Sequence, residues 1–337
     1  MLVAAPLGAL PGMLSAHGAA PHDLPPPLTV ARAFTEWQID PVVVVLLLVG
    51  AGLYLGGVRR LRARGDSWSR GRTISFVGLG LGSIAIATLS SLGVYDDTLF
   101  SVHMVQHMVL SMVAPIFMAL GAPVTLALRA LGHGRPRQAL VTVLHSRVAA
   151  VLGSPLVAAP IFVGTMFVLY FTPLYQATLE HDWLHELTHV HFVFAGCLFF
   201  WPLLGLDPVP GRLHPLMRVL VLFITLPMHA WLGISIMGGH QIIAGHYYAE
   251  LGRTWGPSLA SDQSIGGGLL WASGDLISIV MFVAVFLQWS HADEREARRT
   301  DRRMDRAEAE HREDDELAAY NAYLADLAAG RARRFAR

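Results

Sequence analysis

The sequence has no lysine, a single cysteine (Cys197), and only 15% charged residues in a chain of 337. One thiol excludes a disulfide framework and every zinc or redox site built on paired cysteines. Soluble domains carry about 25% charged residues, so the deficit argues against an ordinary cytosolic enzyme. The 25 basic and 25 acidic side chains cancel, which leaves no net charge to hold nucleic acid. No HExxH, Walker or Ser/His/Asp pattern points to catalysis. The GLGLG stretch at 78–82 lies inside an apolar run and follows no strand. It reads as a close helix contact, not as a phosphate loop.

What the sequence does have is length in its apolar runs. Seven stretches, 41–58, 73–92, 102–120, 149–172, 185–204, 216–238 and 267–290, approach or exceed what a bilayer crossing needs, about 20 residues. None alternates as a barrel strand would. The expectation is an all-α, polytopic membrane helix bundle at 41–290. An extracytoplasmic lead-in at 1–40 precedes it, and a charged helical tail at 291–337 follows. Arginine is confined almost entirely to the loops after runs 1, 3 and 5 and to the tail; Arg32 and Arg253 are the exceptions. By the positive-inside rule the N-terminus is outside and the C-terminus cytoplasmic. The opening MLVAAPLGALPGMLSAHGAA resembles a signal peptide in its apolar run and small residues, yet it lacks a basic start. Its cleavage stays open.

The chain holds 16 histidines, and on this topology most fall in outer loops or the outer halves of the runs. His103 and His107 open run 3, four residues apart and so on one helix face. His181, His185 and His189 repeat that spacing into run 5. His229 lies roughly 13 Å inside run 6 at about 1.5 Å per residue, and Asp275 sits at similar depth in run 7. Such side chains are costly in a bilayer unless they face the bundle interior and find partners. The expectation is an imidazole-rich cavity open to the outside. Neutral imidazole is a common ligand for copper, zinc, iron and nickel. Met104, Met108 and Met112 run down the same helix, and thioether beside imidazole leans toward copper.

Each feature also has a purely structural reading. A histidine pair on one helix can be a packed core pair, and His229 with Asp275 can be interhelical glue. The methionine stripe can be plain core packing, and Cys197 a small core residue off the histidine face.

Three blocks carry a family resemblance: FSVHMVQHMVLSMVAPIFMALGAPVTLALRAL (100–131), PLYQATLEHDWLHELTHVHFVFAGCLFFWPLLGLDP (173–208) and HYYAELGRTWGPSLASDQSIGGGLLWASGD (246–275). In this order they resemble the CtaG-type, caa-type cytochrome c oxidase assembly factor family, over about 40–290. The resemblance implies a multi-pass protein of the bacterial plasma membrane and respiratory chain that helps mature a haem–copper oxidase, with copper as the expected cofactor. The residues it carries over are His103, Gln106, His107, His185, His189, Asp262, Gln263 and Asp275. With His229 added from its depth in run 6, the expected metal ligands are His103, His107, His185, His189, His229 and Asp275. Gln106, Met104, Met108, Asp262 and Gln263 are expected to support them. The partners are an oxidase subunit and the lipid bilayer. Two other classes stand beside this one: a haem-binding electron-transfer protein with axial histidines from two helices, and a copper transporter.

Overall fold

A computed structural model describes residues 24–208 and 215–335. The signal-like segment, His17, His22, Arg212 and His214 lie outside the described residues. Every regular element among those described is helical, apart from one isolated antiparallel bridge, Trp37 to Ser90. Six helices are long and apolar enough to cross a membrane, and a bent pair supplies a seventh crossing. The protein is an all-α, multi-pass membrane bundle.

Span 1 is Pro41–Ala63 and span 2 Arg70–Leu89. Span 3 covers 100–120, and span 4 joins Pro155–Phe171 to Leu174–Glu180 across a 76° bend. Span 5 is Asp182–Leu204 and span 6 Pro215–Met237. Span 7 opens the helix Leu259–Phe335. Local chemistry sets several of these starts. Asp40 caps span 1 by accepting from the Val42 and Val43 amides at 2.7 and 3.2 Å, with Pro41 at the first helical position. Half of the apolar stretch of spans 3 and 5 is buried, against 11% in span 1. Spans 3 and 5 are therefore the axis of the bundle. The exposed Val42, Leu46, Val49 and Leu53 of span 1 form an apolar face suited to lipid.

Spans 3 and 5 come together through a local irregularity. Pro115 has no amide to offer the Ser111 carbonyl, and span 3 widens into a π-helical turn over Val109–Val113. Gly196 of span 5 packs onto that turn. A Cβ at Gly196 would overlap the Ser111 carbonyl oxygen and stand 2.6 Å from Pro115 Cγ. A glycine is therefore required for this approach.

Several boundaries differ from the sequence expectation, three of them for a physical reason the structure shows. Span 7 begins at Leu259 rather than 267. Its first turns are polar because they pack on protein: Asp262 and Gln263 are buried, and a Cβ at Gly266 would meet the Phe100 ring at 2.6 Å. Gly266, Gly267 and Gly268 thus lie within the helix, not at its mouth. The run 149–172 is divided, because the short helix Arg147–Leu152 ends at Gly153 and a new one starts at Pro155. Span 2 stops at Leu89, where Ser90 turns extended and bridges to Trp37.

Successive spans run antiparallel. The starts of spans 3, 5 and 7 and the ends of spans 4 and 6 therefore share one end of the bundle. At the other end Asp207 accepts from the Val124 and Thr125 amides and from Trp201 Nε1, at 3.2, 2.8 and 2.9 Å. There Arg72 and Arg129 lie over the Trp68 ring. The chain forms two compact units, Met1–Val285 and Phe286–Arg337. The second, in its described residues, is helical and exposed, with Leu317, Tyr320, Leu324 and Leu327 open on its surface.

Candidate metal centre

Four of the predicted histidines meet between spans 3 and 5. His103 and His107 stack along span 3 with ring centroids 4.4 Å apart, and His185 and His189 do so along span 5 at 4.5 Å. The two pairs face each other, with the His103 and His185 rings 6.2 Å apart. All four are buried. Their neighbours are equally dry. His107 packs edge-on against Phe192 at 3.4 Å, and His103 lies 4.8 Å from the Tyr175 ring.

The centre of this group is a residue that the sequence reading left outside the site. Asp96, in the turn before span 3, is fully buried. Its Oδ2 accepts from His185 Nε2 at 3.0 Å and from Gln106 Nε2 at 2.6 Å, and it lies 3.6 Å from His189 Nε2. Gln106 links the network further: its Oε1 accepts from His189 Nε2 at 3.0 Å and its amide donates to the Ala87 carbonyl at 3.2 Å. Burial alone would push the Asp96 carboxyl up. The charge and hydrogen bonds of the His185 and His189 imidazoles outweigh it and hold the group well below the usual carboxylate range. Asp96, His185 and His189 each offer a ligand atom within 4.8 Å of the other two, so this buried group can hold a metal ion.

The span 3 pair is differently placed. His107 Nδ1 pairs with the Tyr170 hydroxyl at 2.6 Å. His107 Nε2, both ring nitrogens of His103 and Asp96 Oδ1 are buried without a hydrogen-bond partner. Buried polar atoms are almost always paired, and leaving one unpaired costs about 1–3 kcal/mol. Four such atoms on three residues of one cluster are donors that a further ligand would satisfy. When Nδ1 of His107 donates to the tyrosine oxygen, its Nε2 lone pair is the free one. Outer partners of this kind fix metal-binding imidazoles.

The family model of the cytochrome c oxidase caa3 assembly factor (Caa3_CtaG) matches residues 52–292. The chain belongs to this family. Among curated proteins, it is 39% identical over 312 residues to uncharacterized protein Mb0105 of Mycobacterium bovis and to uncharacterized protein MT0111 of Mycobacterium tuberculosis. These matches cover 91% of this chain and 46% of each relative. Uncharacterized protein ML1998 of Mycobacterium leprae is 39% identical over 315 residues, 91% of this chain and 47% of its own. The chain thus spans about half the length of the curated relatives it matches. No solved structure matches it. Its membership and its spans make it a multi-pass protein of the bacterial plasma membrane.

In this Caa3_CtaG protein the other predicted site residues serve elsewhere. Asp262 caps span 3: its two carboxylate oxygens accept from the Phe100 and Ser101 amides at 2.9 and 3.2 Å, backed by Arg253 at 3.8 Å. It therefore sets where His103 sits without touching it. Gln263 braces the chain after span 6, accepting from the Ile243 amide at 2.8 Å and donating to the Ile236 and Gln241 carbonyls. Met104 and Met108 are buried in the main apolar core. His229 places Nδ1 3.4 Å from the Thr225 carbonyl on its own helix and packs against Phe162. Asp275 accepts from Trp271 Nε1 at 2.7 Å, also on its own helix. His181, the third histidine of the span 5 spacing, turns back to the Ala177 carbonyl at 3.1 Å, and His191, off that face, pairs with Thr165 at 2.9 Å. Cys197 lines an apolar surface groove with Trp201 and Pro202. Asp96 and Tyr170 are the residues sequence reasoning missed. The only sign of Asp96 is an acidic pair, Asp96 and Asp97, without a basic neighbour in the chain.

Proposed function

We propose that this chain acts as a non-catalytic oxidase assembly factor that receives copper at the cluster of Asp96, His103, His107, His185 and His189. It then passes the metal to an apo-subunit of a haem–copper cytochrome oxidase. One observation carries this reading: beside a buried carboxylate already bracketed by two imidazoles, the facing pair His103 and His107 holds three ring nitrogens that are buried without a partner. Nitrogen donors joined by one carboxylate suit a first-row transition metal such as copper. His185, His189 and Asp96 would hold the ion, and His103 and His107 would complete or relay it. Gln106 and Tyr170 keep the rings aimed. The arginine-rich loops at the opposite end favour an N-terminus outside and a cytoplasmic C-terminus. The buried cluster then lies toward the outer face of the membrane.

The packing favours copper over haem. Two axial imidazoles must leave a slot for a macrocycle between them, whereas His107 is pressed against Phe192 and His103 against Tyr175. It also favours a carrier over a transporter. Below His107, span 3 continues through the buried Leu110, Ser111, Met112 and Ala114, and the Ser111 hydroxyl is taken by the His107 carbonyl, which leaves an ion little to hold it.

The test is copper content by mass spectrometry of the purified protein after exposure to copper, for the parent and for the His103→Ala/His107→Ala and Asp96→Asn variants. The parent is expected to retain copper and both variants to lose most of it, and cells carrying them to make copper-poor oxidase. Equal copper in parent and both variants, with normal folding, would end the proposal.

A further inference from the structure

A cavity of about 440 Å³ opens at the same end of the bundle, beside the break in span 4. Its rim carries polar groups, the exposed His240 and Gln241 after span 6 and Gln176 on the second half of span 4. Its inner wall ends at Tyr170 and Tyr175. On their far side these two rings touch the histidine pair: Tyr175 lies 4.8 Å from His103, and Tyr170 lies 6.3 Å from His103 and 5.7 Å from His107. His103 and His107 do not line the cavity. Two phenol rings are therefore the partition between an open, polar-rimmed chamber and the unpaired ring nitrogens.

The partition sits on a hinge. Tyr170 ends one helix and Tyr175 begins the next, with the 76° bend at Thr172 and Pro173 between them. Pro173 has no amide to bridge the break, and both hinge residues are exposed. The outer half packs through the buried Tyr175, Thr178 and Leu179, and a side-chain hydrogen bond latches it to the segment after span 6. The Tyr175 and Tyr248 hydroxyls lie 2.7 Å apart, and Tyr248 is carried on the short helix Gly245–Glu250. That helix follows Ala244, which lines the same cavity in a left-handed backbone conformation, φ 50°. A small rotation of Leu174–Glu180 about the hinge would break the latch and swing Tyr175 off His103.

We propose that this cavity is the port through which metal reaches and leaves the buried cluster. His240 is its first imidazole donor, and Tyr175, latched to Tyr248, is its gate. The proposal rests on the copper reading above and adds a route and a kinetic control to it. A carrier needs both, because ligands this deeply buried would otherwise neither load nor release. The gate governs rates, and the cluster governs affinity.

The experiment follows copper transfer to the full-length protein in detergent. Copper is presented as its copper(I)–bicinchoninate complex or, in parallel, as copper(II)–glycinate, and both the time course and the endpoint are read. Tyr175→Phe removes the latch while keeping the ring. It should speed loading and release alike by about tenfold, the scale of one neutral hydrogen bond, and leave the endpoint affinity unchanged. Gln241→Trp, at the exposed rim, should fill the mouth and slow both rates at unchanged capacity. His240→Ala should slow loading from dilute copper only. Parental rates in Tyr175→Phe and Gln241→Trp, with parental endpoints, would overturn the port and leave the copper site standing. A parent that takes up no copper from either donor would overturn the copper reading and the port with it.

Discussion

Two regions of the bundle hold ionisable side chains at bilayer depth, and they are built in opposite ways. Between spans 3 and 5 the side chains reach across: His185 to Asp96, His189 to Gln106, and the His103 ring toward His185. Between spans 6 and 7 each side chain turns back to its own helix, His229 to the Thr225 carbonyl and Asp275 to Trp271. The difference lies in where the backbones are allowed to touch. On spans 3 and 5 the glycine contact is Gly196 against Ser111, about one turn below His107 on span 3 and about two turns below His189 on span 5. Close approach and ring layer are then at separate depths, and the rings have room between the helices. On spans 6 and 7 Gly233 and Gly267 bring the backbones together, and Gly274 lies directly against the His229 ring, where a Cβ would stand 3.1 Å from it. His229 Nε2 and Asp275 Oδ1 stay buried without a hydrogen-bond partner and do not bond to each other.

The widest test of this contrast replaces side chains in both regions. His185→Ala with His189→Ala should abolish copper retention, because it removes two of the three groups that surround one point. His229→Ala with Asp275→Asn should keep the parental copper stoichiometry. Equal loss of copper in both double variants would erase the distinction. A smaller effect is expected from the contact itself. Gly196→Leu forces a branched side chain onto the Ser111 carbonyl and Pro115, and overpacking of this sort costs about 1–3 kcal/mol. Thermal unfolding in detergent should show the loss, together with weaker copper binding. Lower stability with undiminished copper affinity would mean that the approach of spans 3 and 5 does not set the cluster.

The spans themselves were legible because lipid leaves little choice: an apolar run of sufficient length must be a helix. The same argument fails at the start of span 7. Residues 259–266 include Ser261, Asp262, Gln263 and Ser264, yet they are helical because they pack on protein rather than lipid. Hydropathy has nothing to report there. The histidine face was legible from its four-residue spacing. Asp96 was not, since no periodicity ties a carboxylate in a turn to a face two spans away. Tyr170 is similar: an aromatic near the end of an apolar span carries no mark of the imidazole its hydroxyl will meet. Depth alone misplaced His229 and Asp275 beside the others, because depth says nothing about which helices leave a gap.

The smallest expected effect sharpens the comparison between the two ends of the bundle. Asp262 and Asp207 are both buried carboxylates that accept from two successive amides at the start of a helix on another segment, Phe100 and Ser101 for the first, Val124 and Thr125 for the second. Removing either cap should destabilise the fold by about 1 kcal/mol, visible as a modest drop in unfolding temperature. Their consequences for copper should differ. The helix that Asp262 starts reaches His103 within its first turn, so Asp262→Ala frays the backbone that carries the unpaired imidazole and should weaken copper binding severalfold. Asp207→Ala frays the helix Pro123–Ala130 at the other end and should leave copper affinity at the parental value. If the two variants lose stability equally and lose copper affinity equally, capping acts on the bundle as a whole. If only Asp262→Ala loses affinity, the buried carboxylate in the first turn of span 7 is a positioning residue for a site it never touches.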